Sequence, residues 1–162
     1  MLCLASTLAT SGSAGASEEA AAVAAESRRI QELVDAVRME LAVSHVVSVE
    51  LVATNPLKAS VEPVKGAAGI FRLSLERSFL EQLTPVELKA VIAHELGHVW
   101  IYTHHPYLHT EQLANQIALR VVSRESLDSV YGKVWPNAAG RGSLPRLPEA
   151  RAAERDASAP RN

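Results

Sequence analysis

Cysteine is nearly absent from this chain. Cys3 stands alone among 162 residues, so no internal disulfide can form and no cysteine zinc site can be built. Aromatic residues are scarce too, at 4%. Leu, Val, Ile and Ala must therefore fill the core that a 48% hydrophobic share allows. No apolar run reaches the roughly 18 residues needed to span a bilayer, so no transmembrane segment is expected. Neither sign of charge dominates. The formal net charge of −2 argues against a basic nucleic-acid surface, and no nucleic-acid partner is expected.

The two ends carry few structural signals. The start, MLCLASTLATSGSAGAS, is rich in small residues and ends in Ala14-Gly15-Ala16, which resembles a signal-peptidase site. It lacks a positive n-region, and its apolar part is short and broken by Ser and Thr. Residues 1–16 are therefore expected to be disordered or signal-like, which leaves two localisations open: cytoplasmic, or exported by a weak or truncated signal. From Pro136 onward the chain is rich in Ala, Arg, Gly, Pro and Ser, and 136–162 reads as a disordered tail. Residues 17–135 between them read as one domain.

Within that domain the patterning is mixed. Residues 18–43 have no Gly or Pro, and Ile30, Leu33, Val34, Val37 and Leu41 recur at helical spacing behind Ser17 as an N-cap. Alternation in VVSVELVAT, in LKASVEPV and in GIFRLSLE predicts three strands in a small antiparallel sheet. RSFLEQL reads as a short helix. Residues 84–104 form the clearest helix, with Thr84 as N-cap, Pro85 at the first helical position and Glu87 completing a capping box. Pro106 should stop it near His104. More helix is expected over 110–134, broken near Ser123 and ended at Gly132.

Five of the six histidines lie between His94 and His109. His94 and His98 are one turn apart, since four residues turn about 400° and rise about 6 Å. Their ring nitrogens can therefore converge on one zinc ion. Glu95 lies about 100° further round, where its carboxylate reaches a zinc-bound water without binding the metal. HELGH thus reads as two ligands and a general base. The alternative is a partly buried histidine pair on an amphipathic helix.

A third protein ligand is needed. His104 has the spacing of HExxHxxGxxH enzymes, but the helix-breaking glycine is replaced by Ile101, and no methionine lies downstream. In an unbroken helix His104 falls about 9 Å along the axis and about 120° off the ligand face. His105 and His109 are weaker candidates still. Glu111 is favoured: a tight connection at Pro106 would return the next helix alongside the first. Glu111 could instead be a solvated first-turn acid. Asn115, one turn on, is placed to accept a hydrogen bond from a ligand imidazole. For a transition-state stabiliser the candidates are Tyr107, His109, Tyr131 and Arg120, unranked.

TPVELKAVIAHELGHV followed by EQLAN resembles the gluzincin metallopeptidases, especially the minigluzincin and membrane-gluzincin core. The resemblance covers roughly 45–125. It implies an α+β, zincin-like fold, with a small antiparallel sheet packed on the HExxH helix and a following ligand helix. It further implies one Zn2+ held by His94, His98 and Glu111, with Glu95 as base, in an endopeptidase acting on peptide or protein substrates. The substrate would lie along an edge strand carrying Gly69, Ile70, Phe71, Arg72 and Leu73. This chain has Asn115 where the family usually has Asp. A second expectation follows from that departure: a weakly active or inactive zinc-binding relative serving as an interaction module. A protease acting on DNA-bound proteins is disfavoured by the net charge and the missing zinc-ribbon cysteines.

Overall fold

Ile30, Val34 and Val37 do line one buried face of a helix, α1, which spans Gly12–Glu40; Leu41 is buried too, but in the turn that follows the helix. The computed structural model describes residues 12–134. The expectations for residues 1–11 and for the tail at 136–162 lie outside the described residues. Ser17 does not cap α1, because the helix is already formed from Gly12. Residues 12–16, part of the segment expected to be disordered or signal-like, are helical.

Three strands follow: β1 (Val46–Val52), β2 (Ala59–Pro63) and β3 (Ile70–Glu76). The α+β class stands, but the sheet is mixed, with strand order β1-β3-β2. β3 pairs antiparallel with β2, placing Ala59 opposite Leu75 and Pro63 opposite Phe71. It pairs parallel with β1, placing Val47 opposite Phe71 and Leu51 opposite Leu75. The expected all-antiparallel sheet is therefore corrected. Alternation shows which face of a strand is buried; it says nothing about which neighbour the strand takes or in which direction. The β2–β3 connection uses Gly66 and Gly69 at φ of +79° and +76°, a left-handed region that glycine enters without steric cost.

A short helix, α2 (Arg77–Leu80), leads to the long helix α3 (Pro85–His104). The capping box is formed: the Thr84 N–H donates to Glu87 at 2.7 Å, and the Glu87 N–H donates to the Thr84 hydroxyl at 3.4 Å. A single 3-10 turn at Pro106–Leu108 links α3 to α4 (Glu111–Ala118), which Thr110 caps. α5 (Arg124–Val134) comes after a turn through Ser123 and runs past Gly132 rather than ending there. Lys133 of α5 donates to Glu87 at 2.7 Å and to the Gln82 carbonyl at 2.7 Å. The Lys133 ammonium first, then the Ser129 hydroxyl and the Thr84 backbone, hold the Glu87 carboxyl down at about 2. Glu87 thus starts α3 and also fastens α5 against it.

α3 lies at the centre of the molecule. Val91, Ile92, Leu96, Val99 and Ile101 are buried around most of its circumference, as expected for a helix covered on several sides. α1, the sheet, α4 and α5 supply that cover. Among the described residues, no helix is long and apolar enough to cross a membrane.

Candidate metal centre

α3 runs unbroken through Ile101, which is fully buried. The chain reverses only after His105, where Pro106 forbids further helix. α4 then runs back along α3. Its first residue, Glu111, reaches both histidines: Oε2 lies 3.1 Å from His94 Nε2 and Oε1 lies 3.5 Å from His98 Nε2. The two Nε2 atoms are 3.1 Å apart. Ligands of a tetrahedral zinc at about 2.0–2.1 Å stand about 3.3–3.4 Å from one another; the Nε2–Nε2 separation, and each histidine's approach to one or other Glu111 oxygen, lie near that value. Two imidazoles and a carboxylate are also an ordinary zinc donor set. The residues therefore fit the ion. Among the described residues, this trio forms the one such cluster of His, Cys, Asp or Glu side chains.

Gly97 allows this closeness. A Cβ there would stand 2.7 Å from the Ala114 carbonyl oxygen and 3.0 Å from its Cα. Those are backbone atoms and cannot swing aside. Gly97→Ala is expected to cost about 1–3 kcal/mol of stability, as overpacking does, despite the better helix propensity of Ala. It should weaken metal binding as well, because Glu111 rides on α4. Urea unfolding and zinc titration of the variant check both effects; unchanged stability would mean that α4 shifts freely.

Glu95 is 8% exposed and faces β2, where it has a backbone hydrogen bond with Val61. Burial raises its carboxyl above the usual range, against the opposing pull of His94 and His98. Burial works to lower the His94 pKa, but the Glu111 hydrogen bond, the Glu95 and Glu111 charges and Asn115 together outweigh it, so the net shift is upward. Glu111 is held well below its ordinary value, first by its hydrogen bond to His94 and then by that to His98. Asn115, buried at 2% exposure, accepts from His94 Nδ1 at 2.8 Å. That bond keeps the proton on Nδ1 and leaves the Nε2 lone pair for a metal. His98 Nδ1 is buried with no protein hydrogen-bond partner.

The other histidines separate clearly. His104 stacks on Trp100 at 4.3 Å, with its Nδ1 2.9 Å from the Trp100 carbonyl, away from the cluster. His105 occupies the helix end. His109 stacks on His98 at 4.8 Å and lines the cavity beside it. Of the candidate stabilisers, Tyr107 is 98% exposed and lines no part of this cavity. Arg120 lies over the Trp100 ring. Tyr131 lines the cavity, 6.1 Å edge-on from the His94 ring.

The expected edge strand is wrong. Phe71, Arg72 and Leu73 are paired on both sides, by β1 and by β2; Ile70 pairs with Val46 of β1 and its carbonyl accepts from Val64, and the Gly69 carbonyl accepts from Val46. No open edge is left there for a substrate. The strand beside the metal cluster is β2, whose Ala59, Ser60 and Val61 line the cavity with His94, Glu95 and His98. Pro63 was the available signal: proline in a strand marks an edge. The cavity measures about 260 Å³, and α5 contributes Leu127, Val130 and Val134 to its apolar lining. That role of α5 had no counterpart in the sequence reading.

A sequence profile described as Peptidase family M48 matches residues 24–140. No curated protein matches significantly. Among solved structures, the crystal structure of the metallopeptidase zymogen abylysin of Pyrococcus abyssi is similar, with a TM-score of 0.48 and 16% identity over 67% of this chain and 94% of that one.

Proposed function

Because the chain belongs to peptidase family M48, a family of metallopeptidases, we propose that it hydrolyses peptide bonds with one zinc ion held by His94, His98 and Glu111 and with Glu95 as the base. The observation that carries this reading is the convergence of two imidazole nitrogens and one carboxylate: the Nε2 atoms of His94 and His98 are 3.1 Å apart, and one Glu111 oxygen lies 3.1 Å from His94 while the other lies 3.5 Å from His98. A bound zinc supplies a Lewis acid that polarises the scissile carbonyl and lowers the pKa of water at its open position. Glu95, one residue beyond the first ligand and buried against β2, takes a proton from the attacking water and delivers it to the leaving amine. His109, against His98, is the side chain we place nearest the developing oxyanion; the Tyr131 hydroxyl is engaged with Asn115.

Among the described residues β2 has a strand partner on one side alone; apart from the Val61 N–H, which bonds to Glu95, its other side offers main-chain groups to an extended peptide, in the manner of β-strand addition. The cavity beside it, walled by Leu127, Val130 and Val134, takes an apolar side chain of that peptide. The substrate class proposed is unfolded or extended polypeptide, cut internally.

The purified protein is expected to carry about one zinc per chain and to cleave an unfolded protein such as reduced casein. Phenanthroline should stop cleavage, and added zinc should restore it. Bound zinc with no cleavage across varied unfolded substrates would support the inactive binding module instead. A chain that binds no zinc would end both readings.

A further inference from the structure

A second cavity lies at the far end of β2 from the metal cluster. It measures about 650 Å³ and is lined by His45, Pro63, Phe71 and Tyr102, with the turn at 66–69 as one wall. Its three rings form a row. His45 meets Phe71 at 5.8 Å and Phe71 meets Tyr102 at 5.5 Å, both nearly at right angles. Phe71 is buried, whereas Tyr102 is 51% exposed, so the row has a covered floor and an open end. Gly66 leaves open space where a side chain would stand.

β2 joins this cavity to the one beside the metal cluster. Ala59, Val61 and Pro63 sit opposite Leu75, Leu73 and Phe71, all buried, so their side chains share the face turned to α3. Their main chain points away from β3. The Lys58 carbonyl accepts from Glu76, and the Val64 N–H donates to Ile70. Alternation along an antiparallel ladder then turns the main-chain groups of Ala59, Val61 and Pro63 toward the open edge. The Val61 bond to Glu95 agrees with this, and Pro63 has no N–H to leave unpaired there. α3 follows the same course. Tyr102 comes two turns after Glu95, on the same side of the helix and about 10.5 Å further along.

A peptide added to the open edge therefore passes the metal cluster and then the ring-lined cavity. Antiparallel pairing is the more stable kind, and it sets the N-terminal part of the peptide beside Pro63. From the middle of the Ala59, Ser60 and Val61 stretch to Pro63 and Val64 is about 12 Å of extended strand. Side chains on one face recur every second residue, at steps of about 7 Å. The fourth residue fits this span; the second falls short and the sixth overshoots.

We propose that this cavity is a second substrate subsite, selective for an aromatic side chain four residues N-terminal to the apolar one held beside the metal cluster. The rings of Phe71, Tyr102 and His45 offer such a side chain edge and face contacts. The inference rests on the reading of β2 as the strand that takes the substrate.

The experiment measures binding, so it needs no turnover. Fluorescein-labelled peptides of Ser and Ala carrying one Leu are titrated into the full chain with Glu95→Gln, and affinity is read by anisotropy. Phe placed four residues before the Leu is expected to tighten binding about 10-fold over Ala at that position. Phe placed four residues after it should change affinity by less than about twofold. Tyr102→Ala, which removes the exposed ring, and Ala68→Trp, which fills the cavity from the exposed turn, should each cut the Phe-to-Ala ratio to within about twofold. The ratio is taken within each variant, so a variant that has lost fold is recognised by loss of both peptides.

No preference for Phe before the Leu would overturn the inference, and that comparison uses no change in the cavity. An equal preference for Phe after the Leu, or a ratio that survives both cavity substitutions, would overturn it too. A wild-type chain that holds no zinc and cleaves no unfolded protein would instead count against the peptidase reading; the Phe preference is read from binding and stands or falls separately.

Discussion

Glu95→Gln is expected to keep its zinc and to cleave unfolded protein about 10²–10⁴-fold more slowly than wild type, the range lost when a general base is removed. Gln matches Glu in size, and its amide oxygen can still take the hydrogen bond from the backbone of Val61. The donor set of His94, His98 and Glu111 does not include position 95, so zinc content should not change. What is lost is the ability to accept a proton. Because Glu95 is 8% exposed and its burial works against the charged form, the substitution also removes a desolvation cost. The variant should therefore be no less stable than wild type. This combination of dead, zinc-loaded and fully stable is hard to obtain from a structural role. Cleavage within tenfold of wild type would put the base elsewhere, and loss of zinc would mean that the effect is not on proton transfer.

The parts of this site that could be read from sequence are those that depend on a single helix. The capping box of Thr84 and Glu87 starts α3 where expected, and His94, Glu95 and His98 then follow from helical geometry alone. Ile101 in place of glycine lets α3 continue, which carries His104 away from the His94–His98 pair and leaves the third position to the next helix. The parts that could not be read depend on what packs against what. Phe71, Leu73 and Leu75 alternate as well as any edge strand would, yet β3 is central because β1 arrives parallel on its far side. Tyr131 and Tyr107 looked equivalent as candidates. Long-range contacts of α5, the Lys133–Glu87 and Ser129–Glu87 bonds and the buried Leu127 and Val130, bring the former into the cavity wall, while the latter stays at the exposed tip of the α3–α4 connection.

The second large effect is expected at Glu111. Glu111→Ala should weaken zinc by more than about 100-fold, beyond the upper end for losing an outer-shell partner, and cleavage should disappear with the metal. His104→Ala should leave zinc binding unchanged, since that ring is stacked on Trp100 and bonded to its carbonyl. Stability alone would not separate the readings. An acid in the first turn of α4 favours that helix by about 0.3–1 kcal/mol whether or not a metal is present, so Glu111→Ala loses a little stability either way. Metal affinity does separate them. A solvent-facing first-turn acid has no reason to affect zinc, and Glu111 is 68% exposed, so that reading is a real competitor. It is the pair of short contacts, one oxygen to each histidine, that argues for a ligand: a merely solvated side chain has no cause to place its two oxygens against both Nε2 atoms. Glu111→Gln sharpens the test. It keeps the reach and one carbonyl oxygen but drops the charge, so its zinc affinity should fall between wild type and Glu111→Ala. If Glu111→Ala retained zinc while His104→Ala lost it, the third ligand would lie on α3 and the metal centre described here would have to be rebuilt around a broken helix.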